Sequence, residues 1–277
     1  MVPVLWRSGS VVLYTHDVFS VLGLLVGVAL YYRALRARGL LEGRIFVISL
    51  AAVAGGVLGA RTITAWEHPA FYVDALADGM PISWIIENGG KSILGAIAGG
   101  YLATVAAKRV LGYRRSTGDC YALALPVAIA IGRVGCFLSE LPLGTPTNLP
   151  WGIAASPEAA AAFARCPGCL TPMHPSMLYE ILFNVVAVAA ILIWRRRIPV
   201  HGDLLRLYLL AAFVFRFLVE YVRANEVQPW GLTGPQTVLI PLIGLLGVHF
   251  VRQLRAGVYH VPAPPWRRPP ALEGGSA

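Results

Sequence analysis

Charge is what this sequence is short of: only 13% of its 277 residues are Asp, Glu, Lys or Arg, about half the share of a soluble globular domain. With 57% hydrophobic residues beside it, that shortage excludes a water-soluble enzyme and places the chain in a membrane. Acids are scarcer still, 14 against 23 basic residues. The basic surplus does not mark a nucleic-acid binder, because Lys and Arg stand in short clusters between apolar runs. Cysteine is limited to four scattered positions, so there is no disulfide framework. Cys166 and Cys169 form a CxxC pair, but no thioredoxin-like βαβ pattern surrounds them and no further ligands stand at zinc spacing. In an oxidising compartment they read as a disulfide pinning a loop. Cys120 and Cys136 read as small, membrane-buried residues. No metal and no cofactor is expected. Residues 1–16 lack the basic segment, apolar run and small-residue site of a cleaved signal peptide. No helix carries the regular arginine repeat of a voltage sensor.

What the chain has is apolar runs, and they predict an all-α polytopic membrane protein of about seven transmembrane helices. The expected spans are about Val18–Tyr32, Ile45–Trp66, Gly89–Ala107, Cys120–Leu138, Met177–Trp194, Leu204–Val222 and Pro235–Val251. The first is short unless Val11–Thr15 joins it, and Ser176 is placed to cap the fifth. Arg33, Arg36, Arg38 and Arg44 follow the first span, Lys108, Arg109, Arg114 and Arg115 the third, and Arg195, Arg196 and Arg197 the fifth. The alternating loops hold few cations and most of the acids, so the N-terminus is expected outside and the C-terminus in the cytoplasm. Residues 1–260 read as one membrane domain with an extracytoplasmic loop over 140–175, and residues 261–277 as a disordered cytoplasmic tail rich in Pro, Gly and Arg.

Against that background an arginine inside a span is costly, and Arg133, in Gly132-Arg133-Val134-Gly135-Cys136-Phe137-Leu138-Ser139-Glu140, is the residue to explain. One reading pairs it with a helix carboxylate such as Glu180 or Glu220; the other turns it toward water or a charged ligand. Helix rise is about 1.5 Å per residue. On that scale Arg61, Lys91, Arg133, Arg216 and Arg223 fall toward the outward ends of four spans. Glu87, Glu140, His174, Tyr179, Glu180, Glu220 and Gln236 fall near the same depth. Cations gathered at one level point to a polar cavity near the outer headgroup zone. Guanidinium groups bind phosphate oxygens bidentately and stay charged when desolvated, so the matching ligand is a phospholipid headgroup. A channel fits less well, since one cationic level leaves no polar path across.

Three ordered blocks resemble the bacterial prolipoprotein diacylglyceryl transferases, and the likeness covers nearly the whole chain. Gly132 to Glu140 is similar to the family's G-R-(I/V)-G-N-F-I-N-G. Met173-His174-Pro175-Ser176-Met177-Leu178-Tyr179-Glu180 is similar to R-H-P-(S/T)-Q-L-Y-E. Phe215-Arg216-Phe217-Leu218-Val219-Glu220-Tyr221-Val222-Arg223 matches F-R-(F/I)-x-V-E-(F/Y)-x-R. Gly59-Ala60-Arg61, Leu149-Pro150-Trp151-Gly152 and Gly234-Pro235-Gln236 keep the same order. The resemblance implies transfer of a diacylglyceryl group from phosphatidylglycerol to the lipobox cysteine of a prolipoprotein, at the outer leaflet of the bacterial inner membrane, with release of glycerol phosphate. Its partners would be that lipid, the signal-peptide and lipobox region of the acceptor, and membrane lipids, with no nucleic acid. Arg133 and Arg216 would hold the leaving phosphate. Arg61, Lys91, Gly132, Gly135, Cys136, Ser139, Glu140, Tyr179, Glu220, Arg223 and Gln236 would line the substrate site.

The chain also departs from the family. Its G-G-M-S-F-H-G-G block reads Gly89-Gly90-Lys91-Ser92-Ile93-Leu94-Gly95-Ala96, so Leu94 replaces a histidine important for activity. Cys136 and Ser139 replace asparagines, and His16 and Ala212 stand where tyrosines are expected. A substitute base is sought first at His16, then at His174, then at Glu140; the plainer readings are an exposed loop histidine for His16 and a loop-orienting residue for His174. Lys91 contacts phosphate, stabilises a thiolate, or snorkels. A paralogue with another acceptor, and a lipid-binding protein without turnover, are the competing functions.

Overall fold

The computed structural model describes residues 4–8, 11–90, 92–139, 144–157, 170–195 and 197–260. A two-stranded antiparallel hairpin, β1 (Val4–Ser8) and β2 (Val11–Tyr14), leads without a break into α1 (Thr15–Ala37). Val11–Tyr14 therefore does not extend the first span as a helix. Valines, leucine and tyrosine on either side of Gly9-Ser10 pair as strands instead.

Two compact units follow from the packing, one of Met1–Gly39, Ser116–Ala224 and Leu242–Ala277, the other of Leu40–Arg115 and Asn225–Pro241. In the first unit α1 packs on α6 (Gly118–Leu138), and α6 on α7 (Ser176–Trp194) and α8 (Asp203–Val219). The α1–α6 contact is close because small residues line it: a side chain at Gly23 would press on the Ala128 carbonyl, one at Gly27 on Ala128 Cβ, and one at Gly135 on Phe19. In the second unit α2 (Gly43–Glu67) packs on α5 (Ile93–Val110) through Gly55 and Gly59 against Gly95 and Gly99. Each pair is four residues apart, so both helices present one glycine face and their backbones meet directly. Two short helices not foreseen in the sequence, α3 (Pro69–Ala77) and α4 (Ile82–Asn88), occupy the connection between them. Pro69 at the first position of α3 and Pro81 just before α4 were the available signals.

Among the described residues six helices are long and apolar enough to cross a membrane: α1, α2, α5, α6, α7 and α9 (Gly234–Arg255). α8, the remaining expected span, has 17 α-helical residues and continues as a 3-10 turn over Glu220–Val222. Large side chains such as Phe46, Leu58, Leu182 and Leu245 are exposed on these helices, as acyl chains require and water does not permit. The third expected span begins later than anticipated, at Ile93, because Gly89 and Gly90 form a turn and Ser92 caps the helix, its Oγ accepting from Gly95 N at 3.1 Å. Ser176 does not cap α7 as expected. It is the first residue of the helix, its buried Oγ has no hydrogen-bond partner among the described residues, and Pro175 occupies the cap position.

Candidate active site

Three arginines of the first unit meet around two carboxylates. Glu180, in the second turn of α7, receives Arg133 Nε on one oxygen and Arg223 Nη1 at 2.8 Å on the other. Glu220, which is fully buried where α8 gives way to the 3-10 turn, receives Arg216 Nη1, with Arg223 Nε 3.9 Å away. Arg133, Glu180, Arg223, Glu220 and Arg216 thus form one chain of charges contributed by α6, α7 and the end of α8. Of the two readings of Arg133, the structure shows the pairing with a helix carboxylate, Glu180. Among the described residues the cluster it joins holds three cations against two anions. Among the described residues the cluster therefore carries one more positive than negative charge, in a largely desolvated place.

A buried layer holds the cluster from beneath. Asn184 donates to the Glu180 carbonyl at 2.7 Å and accepts from Tyr208 Oη at 2.8 Å. Phe183 stacks on Phe215 at 4.4 Å between ring centres. Beside the cluster, Arg133 Nη1 lies 3.9 Å from Cys136 Sγ, and the same sulfur lies 3.5 Å from His16 Nδ1. His16, in the first turn of α1, is therefore within reach of Arg133 through a thiol at the position where the family has asparagine. A side chain at Gly132 would meet nothing within 4 Å, so the backbone is open there, whereas Gly135 is needed for the contact with Phe19. Ser139 Oγ is buried with no hydrogen-bond partner among the described residues.

The loop between α6 and α7 is stitched down by antiparallel bridges, Gly144 to Arg223, and Pro146 and Ile153 both to Met173. This places Trp151 Nε1 2.8 Å from Tyr179 Oη, which is 3.1 Å from His174 Nδ1. Two of these functional groups went unassigned in the sequence. Glu180 was considered only as a partner for Arg133, although a carboxylate inside a span must find a cation. Trp151 was part of a motif with no role attached.

Arg61 belongs to the second unit, where Nη1 donates to the Gly89 carbonyl at 2.6 Å and lies 3.4 Å from that of Gly90. It fastens the turn before α5, and Ser92 Oγ in that turn donates to the buried Glu67 at 2.8 Å. Leu94 is buried in the first turn of α5. Gln236 closes a capping box at the start of α9: Oε1 accepts from Thr233 N at 3.0 Å, and Thr233 Oγ1 accepts from Gln236 N at 3.4 Å. Lys91, Glu140, Cys166, Cys169 and the 261–277 tail lie outside the described residues, as does the side chain of Glu87.

Residues 3–252 match the family model described as prolipoprotein diacylglyceryl transferase. Curated relatives carry the name phosphatidylglycerol–prolipoprotein diacylglyceryl transferase. The one from Mycobacteroides abscessus is 28% identical over 98% of this chain and 80% of its own length. That from Cereibacter sphaeroides is 33% identical over 84% of this chain and 87% of its own length. That from Leifsonia xyli is 34% identical over 77% of this chain and 66% of its own. The charge cluster, its supporting loop and a match across almost every described element lead to one conclusion: this chain is a membrane-embedded member of the prolipoprotein diacylglyceryl transferase family.

Proposed function

We propose that this protein transfers the diacylglyceryl group of phosphatidylglycerol to the lipobox cysteine thiol of a prolipoprotein and releases glycerol phosphate. The bond from the glycerol carbon to the phosphate oxygen breaks, its electron pair stays with the phosphate, and the acceptor sulfur forms a thioether to that carbon. Arg133 and Arg216 hold the phosphate and neutralise charge as it builds there. Glu180, Glu220 and Arg223 keep the two guanidinium groups desolvated and aimed. The acceptor supplies the nucleophile, so no enzyme thiol reacts. The thiol proton goes to His16, whose ring stands beside Arg133 through Cys136.

The observation that carries this reading is the surplus cation, counted among the described residues, in a cluster shared by α6, α7 and α8. The positive-inside pattern supports an orientation with the N-terminus outside and the C-terminus in the cytoplasm. In that orientation the cluster faces the outer leaflet of the inner membrane, where the signal-peptide and lipobox region of the acceptor emerges. Mass-labelled phosphatidylglycerol, the purified protein and a lipobox peptide test the proposal directly. Diacylglyceryl-peptide is the expected product. Headgroup release without modified peptide would move the activity to another acceptor, and saturable lipid binding with no turnover would remove the activity altogether.

A further inference from the structure

The contacts of Trp151 bear on the protonation of His174. An indole N–H can only donate, so at 2.8 Å Tyr179 Oη accepts from it. A tyrosine hydroxyl has one proton of its own, and the neighbour facing that oxygen is His174 Nδ1 at 3.1 Å. With the indole N–H on one side of the oxygen, the hydroxyl proton has Nδ1 as its acceptor among the described residues, the arrangement in which that ring nitrogen is unprotonated. A neutral imidazole keeps a single ring proton, which then resides on Nε2. The backbone that carries the ring is held on both sides. His174 N donates to the Thr145 carbonyl at 2.9 Å, and the His174 carbonyl accepts from Gly144 N and Ser176 N, both at 2.8 Å. A side chain at Gly144 would come within 3.0 Å of His174 Cβ.

We propose that Trp151 and Tyr179 are positioning residues that hold His174 as a neutral hydrogen-bond donor through Nε2–H, offered to an anionic oxygen of the bound phosphodiester. His174 is then an electrostatic aid to the leaving group and not the base, and accepting the thiol proton falls to His16. This rests on the transferase reading above and specifies which of two histidines does which task. Trp151 sits in the loop between α6 and α7, on an element separate from the arginine helices, and acts only through the tautomer it imposes.

The test uses the full-length chain in phosphatidylglycerol nanodiscs with a lipobox peptide. Glutamine places an amide N–H close to where Nε2–H stands, whereas asparagine reaches only the position of Nδ1. H174Q is expected to stay within about tenfold of the parent rate, and H174N to lose roughly 10²–10³-fold, the usual cost of a missing transition-state donor. W151F should slow the parent about tenfold by releasing the ring to the other tautomer. In the H174Q background, where no tautomer exists, it should cost less than about twofold. Y179F should repeat the pattern of W151F. Nitrogen NMR of histidine-labelled protein reads the same point without turnover: His174 is Nε2–H in the parent and shifts toward Nδ1–H in W151F. Equal loss in H174Q and H174N, an equal W151F effect in both backgrounds, or an Nδ1–H parent spectrum overturns the inference. A parent that makes no diacylglyceryl-peptide sinks the transferase reading instead, and the spectrum still decides the tautomer.

Discussion

The first unit has a polar cluster at each end of α8, and the two are built on opposite principles. At the N-terminal end Asp203, completely buried, accepts from Arg206 at 2.7 Å, His249 Nε2 at 2.9 Å and Tyr259 Oη at 2.5 Å. Nearby, Asp119 Oδ2 in the first turn of α6 accepts from Gly202 N at 2.9 Å, with Arg38 at 3.7 Å. Gly202 caps α8 with φ of +94°, a conformation that favours glycine. Acids at these helix starts also suit the helix dipoles. Thirteen residues and about 20 Å along the same helix, the other end carries three guanidinium groups and two carboxylates. The Asp203 end is a clasp in which one anion satisfies donors from three segments. The Arg133 end, among the described residues, is left one anion short. Similar residue types therefore build a balanced clasp at one end and, among the described residues, a cation-rich cluster at the other, the one assigned above to the phosphate.

That contrast breaks most sharply at the shared carboxylate. Glu180→Ala strands two buried arginines, so a loss of about 3–5 kcal/mol in unfolding free energy is expected in detergent denaturation. Unchanged melting would mean the cluster is solvated and the anion-site argument fails. Arg133→Ala should fold, because Glu180 keeps Arg223, yet lose roughly 10²–10³-fold in turnover of phosphatidylglycerol, or about 2.7–4 kcal/mol of transition-state stabilisation. Full activity in that variant contradicts the mechanism. At the opposite end the signs reverse. Asp203→Asn weakens charge-assisted hydrogen bonds worth about 1.5–3 kcal/mol each and should lower the melting temperature while the rate per folded molecule holds. A rate loss larger than the loss of folded protein would couple the two ends. Tyr259→Phe removes just one of these bonds and should cost about 1.5–3 kcal/mol of stability at most, again with turnover intact.

Much of the fold was legible before any coordinates. Helices α6 and α7 begin and end within two residues of the runs read from hydropathy, since burying apolar side chains in a bilayer is a local sum over the chain. The β1–β2 hairpin was missed because four or five residues give too short an alternation to stand out beside a helix. Of the candidate site, Arg133, Arg216 and Arg223 were found by the expense of placing charge in a span. Glu180 as their hub was not, because its role depends on which face of α7 meets α6.

Gln236 shows the limit from the other direction. Its order in the chain marked it as a site residue, while its contacts place it in the capping box that starts α9, a role that a Thr-x-x-Gln spacing could have revealed. Arg61 likewise ties down the Gly89–Gly90 turn.

Sequence alone determined that this chain enters a membrane, roughly where it crosses, and which side chains are too costly to be there by accident, because transfer free energy is set residue by residue. Only the tertiary structure decided which carboxylate each arginine meets, that Cys136 stands between Arg133 and His16, and that Trp151 reaches His174 through Tyr179. Those pairings depend on helix rotation and close approach at glycine, and no single segment contains them.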